Sequence, residues 1–378
     1  MALNKQTSNR FDLLAQPRSF VLATYIWLDT DCHQVLRTKS RTLDFEPQSI
    51  DDVPEWDCAI AFATSYINTD FYIRPIRMFK DPFFSSNCSN KLVLCQNYKH
   101  DKTIADENKR VKCKETFDKL AKYNNKAKPT FIVEQIYALY ENTGFQKIDM
   151  HLDKKSAKLP KWFHYCSIGI DHVTGRNVAE CHYKACLYAG INIKSVNSEK
   201  NLSEWKFEIG PCEAFDLADQ LIVARYILHR IAEDFNVVVK FESEAPNIIS
   251  KLYFSIEQND FILKNVNSIR EALSKMDLKM GNCVLLLNKR INNGLSGILK
   301  LIHEQNKVEL GEILERDMHL KNGQKSHFVN QLFSSSKLSS NFSCFFEIQI
   351  AQGSNCFDPY LLLDHLITII LSLLDPDV

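Results

Sequence analysis

The sequence predicts an α+β fold, and three observations carry that reading. The first hundred residues are rich in β-formers and turn signals. Two later stretches, Arg176 to Gly190 and Phe215 to Phe235, place apolar residues at helical spacing. Between them, Glu204 to Ile209 alternates polar and apolar residues, the period of a strand. A chain of 378 residues buries a large core and is long enough for two domains. Lys plus Arg and Asp plus Glu both count 46, so no net field favours nucleic acid or an anionic membrane as a partner.

The elements follow in chain order. Residues 1–17 are polar and without periodicity, and read as a loosely held arm. Ser19 to Asp29 and Gln34 to Leu43 read as strands, Pro54-Glu55-Trp56 opens a loop, Tyr72 to Phe79 is extended, and Lys91 to Cys95 is a short buried strand. Together they form a small sheet domain over 18–102, leaving 103–378 as the second domain. Ala105 to Tyr123 reads as a surface helix. Thr130 to Tyr140 reads as a strand with Ile132, Glu134 and Ile136 on one face. Residues 146 to 162 are charged and loop-like.

Arg176 to Gly190 is a helix with a glycine stop, and Phe215 to Phe235 a second one striped by Leu217, Leu221, Ile222, Ile227 and Ile231. In the strand between them, Trp205, Phe207 and Ile209 take the core side. Glu204, Lys206 and Glu208 take the other, and Gly210-Pro211 closes the strand. Leu361 to Leu374 is very apolar, yet it is broken by Asp364 and His365 and too short to span a bilayer, so it reads as a buried helix.

Twelve cysteines stand at irregular positions with no C-x-x-C pair, and Met1 to Arg18 has no secretory character. This predicts reduced thiols and a cytoplasmic location rather than a disulfide framework or zinc site. His182 with Cys181 and Cys186 fits no common zinc spacing and reads as helix packing. Glycine numbers 11 of 378, less than half the usual share of about 7 per cent, so loops that wrap phosphates closely are short of material.

Several stretches resemble eukaryotic-type glutamine synthetase. They are Tyr25-Ile-Trp-Leu-Asp29, Arg41-Thr-Leu-Asp44, Pro54-Glu-Trp56, Met78-Phe-Lys-Asp-Pro-Phe83, Asn90-Lys-Leu-Val-Leu-Cys95, the helix Arg176 to Gly190, and Asn197 to Glu213. The likeness is strong from Tyr25 to Phe241 and patchy afterwards. It implies an N-terminal β-grasp domain followed by a catalytic α/β domain with an antiparallel sheet. It also implies assembly as two stacked pentameric rings, a decamer, alone or with other glutamine synthetase subunits. The activity it implies is ATP-dependent ligation of ammonia to glutamate with magnesium or manganese.

The same resemblance exposes departures at the site. The family's Glu-x-Glu motif keeps Glu134 but has Ile136 in second place, and of its next two metal glutamates Glu199 is kept while Lys206 is a cation. Glu304 and Glu347 keep metal carboxylates, and Lys251 stands at a metal histidine. The aspartate that helps deprotonate ammonium falls at Ala59, and the two substrate arginines fall at Ile298 and Gln349. Phe207, Pro211, Ser255 and Arg316 match positions around the nucleotide. Hard divalent cations need several oxygen ligands in fixed geometry, and no implied metal site keeps its full set. The expectation is a pseudoenzyme in which Lys206, and with it Lys251, neutralises the remaining glutamates from within, needing no cofactor. The alternative is an active ligase with a remodelled site, using ATP and magnesium or manganese.

Overall fold

The computed structural model describes residues 14, 20–29, 35–59, 70–84, 89–99, 101–104, 108–122, 130–143, 146–148, 164–241, 249–256, 283–291, 294–304, 307–313, 344–351 and 358–374; between 249 and 351 it gives the backbone path and register. The arm at 1–17, apart from Leu14, and most of the charged 146–162 segment lie outside these residues.

The β-rich first hundred residues form five strands: β1 (Val21–Leu28), β2 (Leu36–Leu43), β3 (Trp56–Ala59), β4 (Asp70–Lys80) and β5 (Lys91–Tyr98). Their order in the sheet is β2-β1-β5-β4-β3, with β1 and β5 parallel and the other pairs antiparallel. Strand β3 is a correction, because the stretch after Pro54-Glu55 was expected to be loop. Its residues pair with β4 from Trp56↔Ile73 to Ala59↔Asp70, which supplies the partner that local propensity cannot show.

Side chains alternate across this sheet. Val21, Ala23, Tyr25 and Trp27 build a small core with Ile73, Val93 and Cys95, whereas Ile26, Leu92 and Leu94 join a larger one. That larger core runs on without a break into the rest of the molecule, so the two expected domains share packed apolar surface.

The second sheet contains β6 (Thr130–Glu141), β7 (Ile193–Ser198), β8 (Glu204–Cys212), β9 (Val237–Lys240), β10 (Ile249–Ile256), β11 (Cys283–Ile291), β12 (Gly294–Glu304), β13 (Lys307–Ile313) and β14 (Cys344–Ala351). Its order is β13-β12-β11-β14-β10-β6-β8-β7, with β9 also on β6, and every pair is antiparallel. The mixed α+β class therefore stands.

Four α-helices pack beside these sheets among the described residues: α1 (Lys109–Ala121), α2 (Arg176–Ala189), α3 (Ala214–Asp234) and α4 (Pro359–Leu374). Helix α2 ends at Gly190, whose φ of 87° lets its N–H turn back to the carbonyls of Cys186 and Leu187. Helix α1 was expected on the surface, yet it buries Cys113 and Leu120. Its Thr116 hydroxyl donates to Asp364 of α4 at 2.5 Å.

Asp219 of α3 ties the layers together: Arg110 of α1 donates to both its oxygens at 3.2 and 3.3 Å, and the Tyr360 hydroxyl of α4 donates at 2.5 Å. No described helix is long and apolar enough to cross a membrane.

Candidate functional site

Strand β8 positions the site, and its form corrects one expectation. It runs through Gly210-Pro211 to Cys212 rather than closing there, because a register shift between Phe131 and Val133 of β6 absorbs the turn. Both of its faces are also buried. Trp205, Phe207 and Ile209 are in the core as expected, but Glu204, Lys206 and Glu208 are only 4, 7 and 0% exposed. Burying three charged side chains on one strand requires a partner for each.

Glu204 finds its partners apart from the other two. Lys147 donates to it at 2.8 Å and Asn201 at 2.5 Å. Lys206 and Glu208 instead meet Glu134, which stands opposite Glu208 on β6. The Lys206 Nζ lies 3.4 Å from Glu134 Oε1, 3.8 Å from Glu199 Oε1 and 3.9 Å from Glu208 Oε1. Asn197, opposite Lys206 on β7, donates to Glu199 at 3.4 Å. Glu134 is 2% exposed, so the cluster is largely shut off from water.

The charges shift one another accordingly. Burial alone would lower the pKa of Lys206, but Glu134, Glu199 and Glu208 together outweigh it and hold the ammonium above its ordinary value. Glu208 moves the opposite way from most ion-paired carboxylates: burial, then the neighbouring Glu134 charge, raise its pKa, with Lys206 pulling against them. Neither Glu208 oxygen has a hydrogen-bond donor among the described residues. At the edge of the cluster, burial and then the nearby Cys166, Glu199 and Glu134 push the Tyr165 hydroxyl up to about 12.

No protein-family model matches the chain. Glutamine synthetase of Gallus gallus is 41% identical over 225 residues, 59% of this chain and 57% of that protein. Glutamine synthetase of Panulirus argus is 40% identical over 241 residues, 63% of this chain and 64% of that protein. The chain is similar to glutamine synthetases over about three fifths of its length. The cryoEM structure of Plasmodium falciparum glutamine synthetase superposes with a TM-score of 0.51 at 12% identity, covering 72% of this chain and 60% of that one, and so shares the fold. The chain spans about three fifths of the length of the curated relatives it matches.

Most of the remaining positions that the glutamine synthetase resemblance marks are distributed along the same sheet. One backbone row crosses it as Ile302, Val284, Gln349, Lys251, Glu134, Glu208 and Ser195, so Lys251 stands opposite Glu134 with Gln349 next to it. Ile136 is buried and stands opposite Lys206. Glu347 is opposite Tyr253 and Leu286, and Ser255 opposite Thr130 and Phe345. Ile298 and Glu304 lie further out, opposite Asn288 and Lys307. Ala59 pairs through its backbone with Asp70 in the other sheet. Arg316 lies outside the described residues.

Phe207 is fully buried against Tyr137 and His182, with ring centroids at 6.1 and 4.8 Å, so a ligand at this position would meet its backbone. Pro211 offers its carbonyl to Asn192 at 3.1 Å.

Sequence reasoning placed Glu208 on the polar face but gave it no part in the site. The signal was present in its spacing, two residues from Lys206 on one strand, which puts both side chains on the same face. His182 packs as expected: Nε2 lies 3.0 Å from the Ala224 carbonyl and 3.2 Å from Cys186 Sγ, and burial pushes its pKa down to about 4. Among the described residues, no group of three or more His, Cys, Asp or Glu is arranged to hold a metal ion.

Proposed function

We propose that this glutamine synthetase-like chain is a pseudoenzyme, a structural, regulatory or binding subunit in which a fixed ammonium occupies the seat of a divalent ion. The observation that carries this is the Lys206 Nζ within 3.4 to 3.9 Å of Glu134, Glu199 and Glu208. Phosphoryl transfer to a carboxylate depends on divalent ions and arginines neutralising charge on the moving group. A divalent ion seated beside Lys206 would meet an ammonium in a site with little water to screen the repulsion. Ile136 supplies no oxygen, and the positions of the substrate arginines are Ile298 and Gln349. Lys251 stands opposite Glu134 in the register, so a second lysine lies on the strand next to that glutamate.

The residues present thus do not fit the magnesium or manganese centre that ligation requires. ATP and the metals would be needed only if turnover persists, with Phe207, Pro211, Ser255 and Arg316 the positions around the nucleotide. The resemblance further supports the division at 18–102 and 103–378, ring self-association as a decamer or with other glutamine synthetase subunits, and a cytoplasmic location in keeping with the reduced thiols. The rival reading, a working glutamate–ammonia ligase, draws on the identity of about 40% to proteins of that name.

Biosynthetic and γ-glutamyl transfer assays with magnesium and with manganese separate the two. Background rates are expected, and turnover that disappears in Glu134→Ala would overturn the proposal. Calorimetry with ATP, with and without metal, tests nucleotide binding. Sizing the chain alone and mixed with an active glutamine synthetase tests the assembly.

A further inference from the structure

No further inference is drawn: the strongest candidate, the buried Glu208 carboxylate beside the Ser195 hydroxyl on the β7 side of the glutamate cluster, belongs to the site already described, and nothing else at that place points to a ligand of its own.

Discussion

Glu134 and Lys206 face each other diagonally across β6 and β8, with 3.4 Å between carboxylate and ammonium and both side chains almost wholly buried. Cross-strand neighbours at this spacing hold a sheet in register. An ion pair this deep is a weak source of net stability, because both charges surrender their hydration. Removing one member is a different matter, since it strands the rest.

Lys206→Met tests that asymmetry. The thioether fills the volume of the lysine stem and leaves Glu134, Glu199 and Glu208 without their shared counterion. Urea denaturation at neutral pH is expected to show a loss on the order of 3–5 kcal/mol. A change within the error of the measurement would mean that Lys206 is incidental to the cluster.

Divalent metal should leave the parent protein unmoved. Ligands that bind the folded state raise its stability by RT ln(1 + [L]/Kd), about 2.7 kcal/mol at a hundredfold excess over Kd. With Lys206 in place, the melting temperature is expected to stay constant from zero to millimolar manganese. The double change Ile136→Glu with Lys206→Glu puts carboxylates back at two positions on facing strands, and its melting temperature is expected to climb with manganese. A manganese-dependent rise in the parent protein would contradict the proposed seat of the ammonium.

How much of this was visible beforehand depends on the residue. The helices α2 and α3 announce themselves through local periodicity and a glycine stop, and their limits fall within a residue of expectation. The closeness of Lys206 to Glu134 and Glu199 was reachable only through the family resemblance, because residues 134 and 206 are joined by a long-range strand pairing that no local pattern encodes. Strand β3 was hidden for a similar reason, its extended state being set by β4. The burial of β8 on both faces escaped notice because alternation reports polarity, not exposure. A charged face buried by ion pairing reads the same as one facing water.

Gly210 carries a prediction of a different kind. Its φ is +110°, and a Cβ built there would come within 2.4 Å of the Phe131 carbonyl oxygen and 3.1 Å of Ile132 Cα, both backbone atoms of the neighbouring strand. Neither can move without breaking the β6–β8 ladder. Gly210→Ala is therefore expected to cost more than about 1–3 kcal/mol, the range for backbone strain alone. Chemical denaturation measures this, and a neutral substitution would show that β8 bends elsewhere.

Asp219 gives a control away from the cluster. It is 3% exposed and accepts from Arg110 and Tyr360, so Asp219→Asn keeps the shape while removing the charge that balances Arg110. A loss of about 1–3 kcal/mol is expected from denaturation, because the partly buried guanidinium is left without its counterion. Since the partners of Asp219, namely Arg110, Tyr360 and Arg77, are not those of Lys206, this loss should add to that of Lys206→Met in the double variant. Strong coupling between them would mean that the helical layer and the cluster open together.

Glu208→Gln makes the sharpest claim on pH. The pKa of Glu208 is raised from 4.5 by burial and by Glu134, so the folded protein favours its uncharged form. Stability from this group is fully present below pH 4.5 and is lost as pH rises through the raised value. The glutamine amide keeps the shape and never ionises, so the variant lacks that loss. The stability of the variant relative to the parent is expected to increase from pH 4 to pH 7, read from urea midpoints at each pH. The alkaline limb should move the other way. The raised pKa of Lys206 gives stability that is present below 10.5 and is lost above it, and the variant removes one of the three anions that raise it. Its alkaline unfolding should therefore begin at lower pH. If the difference between variant and parent were flat across the acid range, the Glu208 carboxylate would be ionised at no cost, and the cluster would hold a cation besides Lys206.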